Sequence, residues 1–315
     1  MEDELKDKLV LLEKEELIDC IEQNGYINDN IEVNYEDIAL FFQGNAKSDN
    51  DKTNRKREAI IKNILNDKIN KKWYSSTLHW YIVALRLKEF VEELKTLRNI
   101  DSDLKEVIEK GGRRFNYDFI FVFKNGHQEK VEFKSNVSKI VDYPQILSLY
   151  SYFLVKSISY AEYFYDNYLL PLNLPRLPSK QEYLKVIYKD KLEDYPFFTE
   201  DLKTVPNMSN LYYKSISEYL ENVLEFDFDQ FRKKIASQTS KNFMCWKDGK
   251  FYLEKLTKDD VDTLSDLTLK KGKNGYNTVI IKTVKGEAEL HLLLRWKNGN
   301  RFLKPAWDIK LKKNK

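Results

Sequence analysis

The stretch "YDFIFVFKNGHQEKVEFK", residues 117–134, decides the fold. Large apolar side chains run from Phe119 to Phe123 with Asp118 at their head; Asn125-Gly126 follows, and then a second run that carries Glu132 and Lys134. Asn-Gly between two such runs is a strong hairpin signal. Two registers are open. A two-residue Asn125-Gly126 loop sets Asp118 opposite Phe133 and turns Glu132 to the other face. A three-residue loop, Lys124-Asn125-Gly126, has its glycine third, where a type I turn followed by a left-handed residue wants it, and sets Asp118 opposite Glu132. Residues facing one another across antiparallel strands have Cβ atoms about 4.5–5.5 Å apart, and the period of two brings Lys134 to the face of Glu132. Carboxylates that close repel unless a cation lies between them. Mg²⁺ takes one or two carboxylates and completes its shell with water and phosphate oxygens. A lysine beside it can orient a water or stabilise charge developing on a phosphate. Asp118, Glu132 and Lys134 therefore point to metal-assisted phosphodiester chemistry. Because residues 119–123 are apolar on both faces, they read as an interior strand of a covered sheet, where acids cost free energy unless paired or liganded.

Around this hairpin stand 315 residues, 42% hydrophobic and 14% aromatic, enough for one domain with large additions or for two. A third of the residues are charged (33%), yet the formal net charge is only +3, so any basic surface must be local. The opening "MEDELKDKLVLLEKEELIDC" is an acidic amphipathic helix pattern rather than a secretory leader. No apolar run approaches the roughly 20 residues of a membrane span. Cys20 and Cys245 are isolated, which argues against a zinc cluster or disulfide framework and for a reducing, intracellular compartment, cytoplasmic or nuclear. Only His79, His127 and His291 are present, which disfavours histidine-based metal chemistry.

Apolar spacings of three and four predict helices over residues 1 to about 98, interrupted by the polar loop "QGNAKSDNDKTN". "DLKEVIEKGGRRF" reads as a short helix or a poor strand. Residues 135–164 predict a long, mostly buried helix, with Asp142 as its cap and Pro144 in its first turn. "LLPLNLPRLPSK" reads as an extended connector, and Ser179 with Glu182 as a capping box for the next helix. From about Phe243 onward strands are expected, joined at Asp-Gly, Lys-Gly and Asn-Gly turns, with a frayed lysine-rich end.

The pattern Asp118, then Glu132-Phe133-Lys134 on the next strand, then a helix, resembles the core of the PD-(D/E)xK, or restriction-endonuclease-like, nuclease superfamily over about residues 85–165. The resemblance implies an α/β fold, a mixed sheet flanked by helices, here with a helical N-terminal region and a β-rich C-terminal region. Residues 1–75 would be the helical region, 76–170 the nuclease core, and 171–315 a helical then β-rich part that recognises substrate. It further implies Asp118 and Glu132 as ligands of Mg²⁺ (Mn²⁺ substituting), the Phe133 carbonyl as another, and Lys134 as the residue that polarises water. Many members add a glutamate from the helix before the sheet. Glu89 is favoured here over Glu92 and Glu93 because it follows Leu78, Ile82 and Leu85 along one stripe. Gln145 resembles a glutamine that some exonuclease-like members place near the site.

Arg113 and Arg114, after two glycines, are placed to reach a phosphate. Arg295, Trp296, Lys297, Asn298 and Arg301 surround an expected hairpin tip and suit a reader of a groove or of unstacked bases. Asp227 and Asp229 form a second acidic pair better explained by helix capping, and Lys68, Lys71 and Lys72 read as solvated charge. The expected activity is metal-dependent hydrolysis of DNA phosphodiesters by an endonuclease, with a homodimer as a candidate assembly. The alternative is a non-catalytic nucleic-acid-binding or scaffolding protein on a nuclease-like fold.

Overall fold

The computed structural model describes residues 31–43, 50–110, 115–143, 145–188, 195–299 and 302–313. The protein is mixed α/β, and the described residues form two five-stranded sheets. In chain order the strands are β1 (Leu104–Glu109), β2 (Phe119–Phe123), β3 (Gln128–Ser135), β4 (Leu147–Tyr150), β5 (Asn242–Lys247), β6 (Lys250–Glu254), β7 (Thr268–Gly272), β8 (Gly275–Lys282), β9 (Ala288–Gly299) and β10 (Phe302–Lys313). The helices that matter below are α1 (Asn50–Leu65), α2 (Leu78–Arg98), α3 (Met208–Asn222) and α4 (Phe228–Ala236). The chain divides into two compact units, one of residues 22–143 and 237–257, the other including 144–236 and 258–315. This division crosses the 75/76 and 170/171 boundaries expected from sequence, because β5 and β6 return to the sheet of β1–β3.

In the first unit the strand order is β1-β2-β3-β5-β6, antiparallel throughout except for β3 and β5, which run parallel. Alternation along β2 and β3 sends Phe119, Phe121, Phe123, Val131 and Phe133 into one core with Trp80, Leu87, Phe90 and Leu94 of α2 and Ile60, Ile61 and Ile64 of α1. The α2 stripe works because those positions recur at three and four, and Thr77 caps the helix by accepting the Trp80 N–H. Buried indoles find backbone partners: Trp80 Nε1 donates to Tyr35 O (3.0 Å) and Trp246 Nε1 to Phe41 O (2.7 Å). β1 is an edge strand, and Asn66 closes part of that edge by accepting the Val107 N–H (2.7 Å) and donating to its carbonyl (2.8 Å). Asn66→Ala is expected to cost about 1–3 kcal/mol in urea unfolding, since both Val107 groups lose their partner; an unchanged midpoint would refute this role for Asn66.

In the second unit the order is β4-β10-β9-β8-β7, all antiparallel. Val279, Ile281, Leu290, Leu292, Leu294, Trp307 and Ile309 fill its buried face, and α3 lies against β8.

Of the two readings left open for "DLKEVIEKGGRRF", the strand is the one that forms, over residues 104–109 and paired with β2. Three other sequence expectations are corrected. The long helix expected after Lys134 does not form. Instead a 3₁₀ turn (Ile140–Asp142), β4 and a short helix (Tyr160–Phe164) follow. β4 pairs with Ala306–Ile309 of β10, and that tertiary ladder overrides the helical spacing of 146–154. The connector expected to be extended, residues 169–180, is helical at its start, where Leu170–Leu172 form a 3₁₀ turn, while Ser179 does cap the next helix by accepting the Glu182 N–H (3.3 Å). The lysine-rich end is strand as far as Lys313. The N-terminal amphipathic pattern and Pro144 lie outside the described residues.

Candidate functional site

The hairpin adopts the three-residue loop. Phe119 pairs with Val131 and Val122 with Gln128; the Phe123 N–H donates to His127 O (2.9 Å) and the Gly126 N–H to Phe123 O (2.9 Å). Gly126 has φ +85°, the left-handed conformation this loop needs and glycine allows. Continued by one residue, the register sets Asp118 against Glu132. The Asp118 N–H donates to Val131 O (3.0 Å), and there the ladder ends: the Phe133 N–H goes to the Asp118 carboxylate, Oδ2, at 2.8 Å. The chain before β2 peels away from β3, and an aspartate takes the place a backbone carbonyl would have held.

Val131 and Phe133 alternate inward to the core, so Glu132 and Lys134 project from the opposite face of β3. Glu132 is gripped by two amines, Lys134 through Oε1 and Lys241 through Oε2. Lys241 sits just before β5, is 1% exposed, and donates a further bond to Asn116 O (2.5 Å). Lys134 is 8% exposed and lies 4.4 Å from the Tyr143 ring centroid, a cation–π contact.

A third acid enters from α1. Asn54 of that helix accepts bonds from Ser135 at the end of β3 (3.2 Å) and from the buried guanidinium of Arg57 (2.9 Å), which also donates to Leu40 O (2.9 Å). These bonds fix the helix across the end of β3. Glu58, one turn beyond Asn54 on the same side, comes within electrostatic reach of Asp118, Glu109 and Lys134.

The acids outnumber the amines, and their protonation shows it. Burial, then Asp118 and Glu109, push the Glu58 carboxyl well above its usual range. Burial and Glu132 push Asp118 up to about 6 against Lys134, the Phe133 N–H and Lys241. Burial also acts to raise Glu132, but the two lysines outweigh it and leave that group lowered. Burial depresses Lys241. For Lys134, the carboxylates and Tyr143 overcome burial and raise it.

The sign for stability follows. With a folded value near 6 against 3.8 for a free aspartate, ionised Asp118 costs stability above about pH 6. Below about pH 4 it is protonated in folded and unfolded chains alike and costs nothing. Asp118→Asn, which keeps an oxygen for the Phe133 N–H, is expected to raise the melting temperature above pH 6, with the gain fading toward pH 4. A pH-independent difference would refute this.

Asp118 and Glu132 are oxygen donors of the kind Mg²⁺ takes, and two carboxylates suffice when water and phosphate fill the remaining positions. The repulsion from Glu132 that helps to raise Asp118 is the strain a divalent cation would relieve. The donor set therefore fits the ion. Among the described residues, no group of three or more His, Cys, Asp or Glu side chains is gathered closely enough to hold a metal by itself.

Other expected site residues stand apart. Glu89 is 51% exposed and pairs with Arg86 (2.6 Å). Of its stripe only Ile82 packs against the core, while Leu78 and Leu85 are 70% and 39% exposed; the buried stripe of α2 runs through Trp80, Val83, Leu87 and Phe90. Glu92 pairs with Lys95 (3.1 Å) and Glu93 is exposed. Gln145 belongs to the second unit, where it accepts a bond from Lys297 (3.2 Å), and no helix starts there. Arg295 and Lys297 lie along β9 rather than at its tip, bound to Asp308. Trp296 donates to Tyr160 Oη (2.8 Å) and packs against Phe164 and Tyr212, so it is not a free stacking platform. Asn298 pairs with Leu303 in the β9–β10 ladder. Arg113, Arg114 and Arg301 lie outside the described residues. Asp227 caps α4 by accepting the Gln230 N–H (2.9 Å).

Two residues were missed. Glu58 interrupts an apolar stripe in "REAIIKNIL", a faint signal that an acid faces inward. Lys241 stands directly before the apolar run of β5, where a lone lysine at a buried strand's mouth was the available cue.

No family model, curated protein or solved structure matches the chain. Among the described residues no helix is long and apolar enough to cross a membrane.

Proposed function

We propose that the protein is a metal-dependent nuclease of the restriction-endonuclease-like type that hydrolyses DNA phosphodiester bonds from within. The observation that carries this is Asp118 set against Glu132 across β2 and β3 with Lys134 bound to Glu132, and Glu58 of α1 within electrostatic reach of Asp118 and Lys134. A mixed sheet with helices packed against it supports the same reading. Asp118 and Glu132, with the Phe133 carbonyl, would hold Mg²⁺ or Mn²⁺. Such an ion supplies Lewis acidity toward a phosphate and a more acidic bound water. Lys134 orients the attacking water and offsets charge growing on the phosphate oxygens. Glu58 extends the acidic cluster in the role first assigned to Glu89, and Lys241 holds Glu132 in place through Oε2.

A non-catalytic scaffold is favoured by one observation: both carboxylate oxygens of Glu132 are engaged by lysines. Incubation with plasmid and with single-stranded DNA in Mg²⁺ or Mn²⁺ separates the two. Nicked or linear products that vanish with EDTA are expected, and intact DNA under all these conditions would favour the scaffold.

A further inference from the structure

We infer that the solvent-facing side of the second unit's sheet is a docking surface for the phosphate backbone of double-stranded DNA. Along β9, Leu290, Leu292 and Leu294 are buried, so Glu289, His291, Leu293, Arg295 and Lys297 face the other way. Cross-strand pairing extends this face over neighbouring strands. Lys282 of β8 is opposite Glu289, which is opposite Lys312 of β10. His291 is opposite Lys310, and Lys270 of β7 is opposite Thr278, which is opposite Leu293. The face thus carries Lys270, Lys282, Arg295, Lys297, Lys310 and Lys312 against the carboxylates of Glu289 and Asp308.

Those two acids do not neutralise it. Asp308 is 4% exposed and lies beneath Arg295 and Lys297, which it holds at 2.5 and 3.3 Å. Their side chains stay 48% and 35% exposed. Buried in this way, the acid orients the Arg295 guanidinium, and with Gln145 and Ser148 it fixes the Lys297 amine, so both positive charges are held at defined points of the face. Glu289 is engaged by His291 (3.0 Å). Lys270, Lys282, Lys310 and Lys312 have no carboxylate partner among the described residues, and three of them are exposed and Lys310 half-buried. A formal net charge of +3 for the whole chain means that so many cations on one face are segregated rather than typical of the surface.

Successive same-face residues on a strand are about 6.5–7 Å apart and alternate strands about 9.5 Å apart, so the cations form a grid of point charges on a firm support. Such a grid suits a stiff polyanion, since its charges reach several phosphates without distorting either partner. Half-buried Ile280 and Leu293 are the apolar side chains in the centre of the face, which gives an acyl-chain surface little to insert against. The choice of DNA among polyanions rests on the nuclease reading, and the charge pattern does not.

The test is binding in EDTA, which removes cleavage from the measurement. A short fluorescein-labelled DNA duplex is titrated with the full chain over a range of salt concentrations, beside Lys282→Gln/Lys310→Gln/Lys312→Gln. Each lost phosphate contact lowers the slope of log affinity against log salt by about 0.9, so the triple variant is expected to lose up to about 2.7 and bind more weakly at every salt concentration. Wild type incubated separately with plasmid and Mg²⁺ reports cleavage, so weaker binding by the triple variant beside a wild type that leaves plasmid intact would sink the nuclease reading and leave the surface standing. Failure of the surface and failure of the nuclease reading are thereby separated. Thermal melting checks the fold, and if the triple variant does not fold, the single variants are each expected to lower the slope by about 0.9. Unchanged slopes in all variants would overturn the inference. So would tighter binding to a matched RNA duplex, or co-sedimentation with phosphatidylserine vesicles without DNA binding.

Discussion

Lys134→Ala is expected to lower Mg²⁺-supported cleavage of plasmid DNA by about a hundred- to a thousand-fold, the usual effect of removing one preorganised donor from a site of charge development. The amine is 8% exposed, bound to Glu132 and backed by the Tyr143 ring at 4.4 Å, so its position is set before any substrate arrives. A fixed donor contributes at the transition state without reorganising, and its loss should appear in kcat far more than in KM. The variant should also fold, because Glu132 keeps Lys241 as a partner. Single-turnover cleavage with purified wild type and variant decides the matter. Equal rates would remove Lys134 from the site, and a rise in KM with kcat intact would make it a binding residue instead.

The largest effect on stability is expected at Glu132. Its carboxylate neutralises two amines that are 8% and 1% exposed, and Glu132→Ala leaves both without it. Removing one partner of a buried ion pair costs about 3–5 kcal/mol, because the surviving charge stays desolvated. Urea unfolding at neutral pH should show a loss of that size. Adding Lys241→Met to Glu132→Ala should recover part of it, since a buried thioether needs no counter-charge. If the single variant lost less than about 1 kcal/mol, the pairing would be no stronger than an exposed one. If the second substitution deepened the loss, Lys241 would be held by Asn116 rather than by Glu132.

The hairpin was legible in the sequence because local chemistry marks it: Asn125-Gly126 places the turn, and Gly126 alone is left-handed there, as the three-residue loop requires, whereas a two-residue type I′ loop would need Asn125 left-handed too. The later hairpins were legible for a similar reason, Gly249, Gly275, Gly286 and Gly299 standing at the turns of β5–β6, β7–β8, β8–β9 and β9–β10. Glu58 was not, because choosing among the acids of several helices requires knowing which stripe of each is buried. On α2 two apolar stripes compete, and the sequence favours neither until Trp80 and Phe90 are seen against the sheet. The segment 146–154 was misread for a related reason, since its apolar residues satisfy helical spacing and only the β10 ladder selects a strand. Lys241 lies 109 residues from Glu132, beyond the reach of any local pattern.

That separation has a consequence for synthesis. β3 has no partner on its outer side until β5 arrives. At about 5–20 residues per second, a ribosome takes on the order of 5–20 seconds to cross the hundred or so residues between them. Throughout that interval a nascent chain carries an uncovered strand edge, the feature that templates pairing between molecules. A yield of folded protein that falls when translation is slowed between codons 136 and 241 is the expected result. Before codon 241 has been read, the cell holds an incomplete charge cluster.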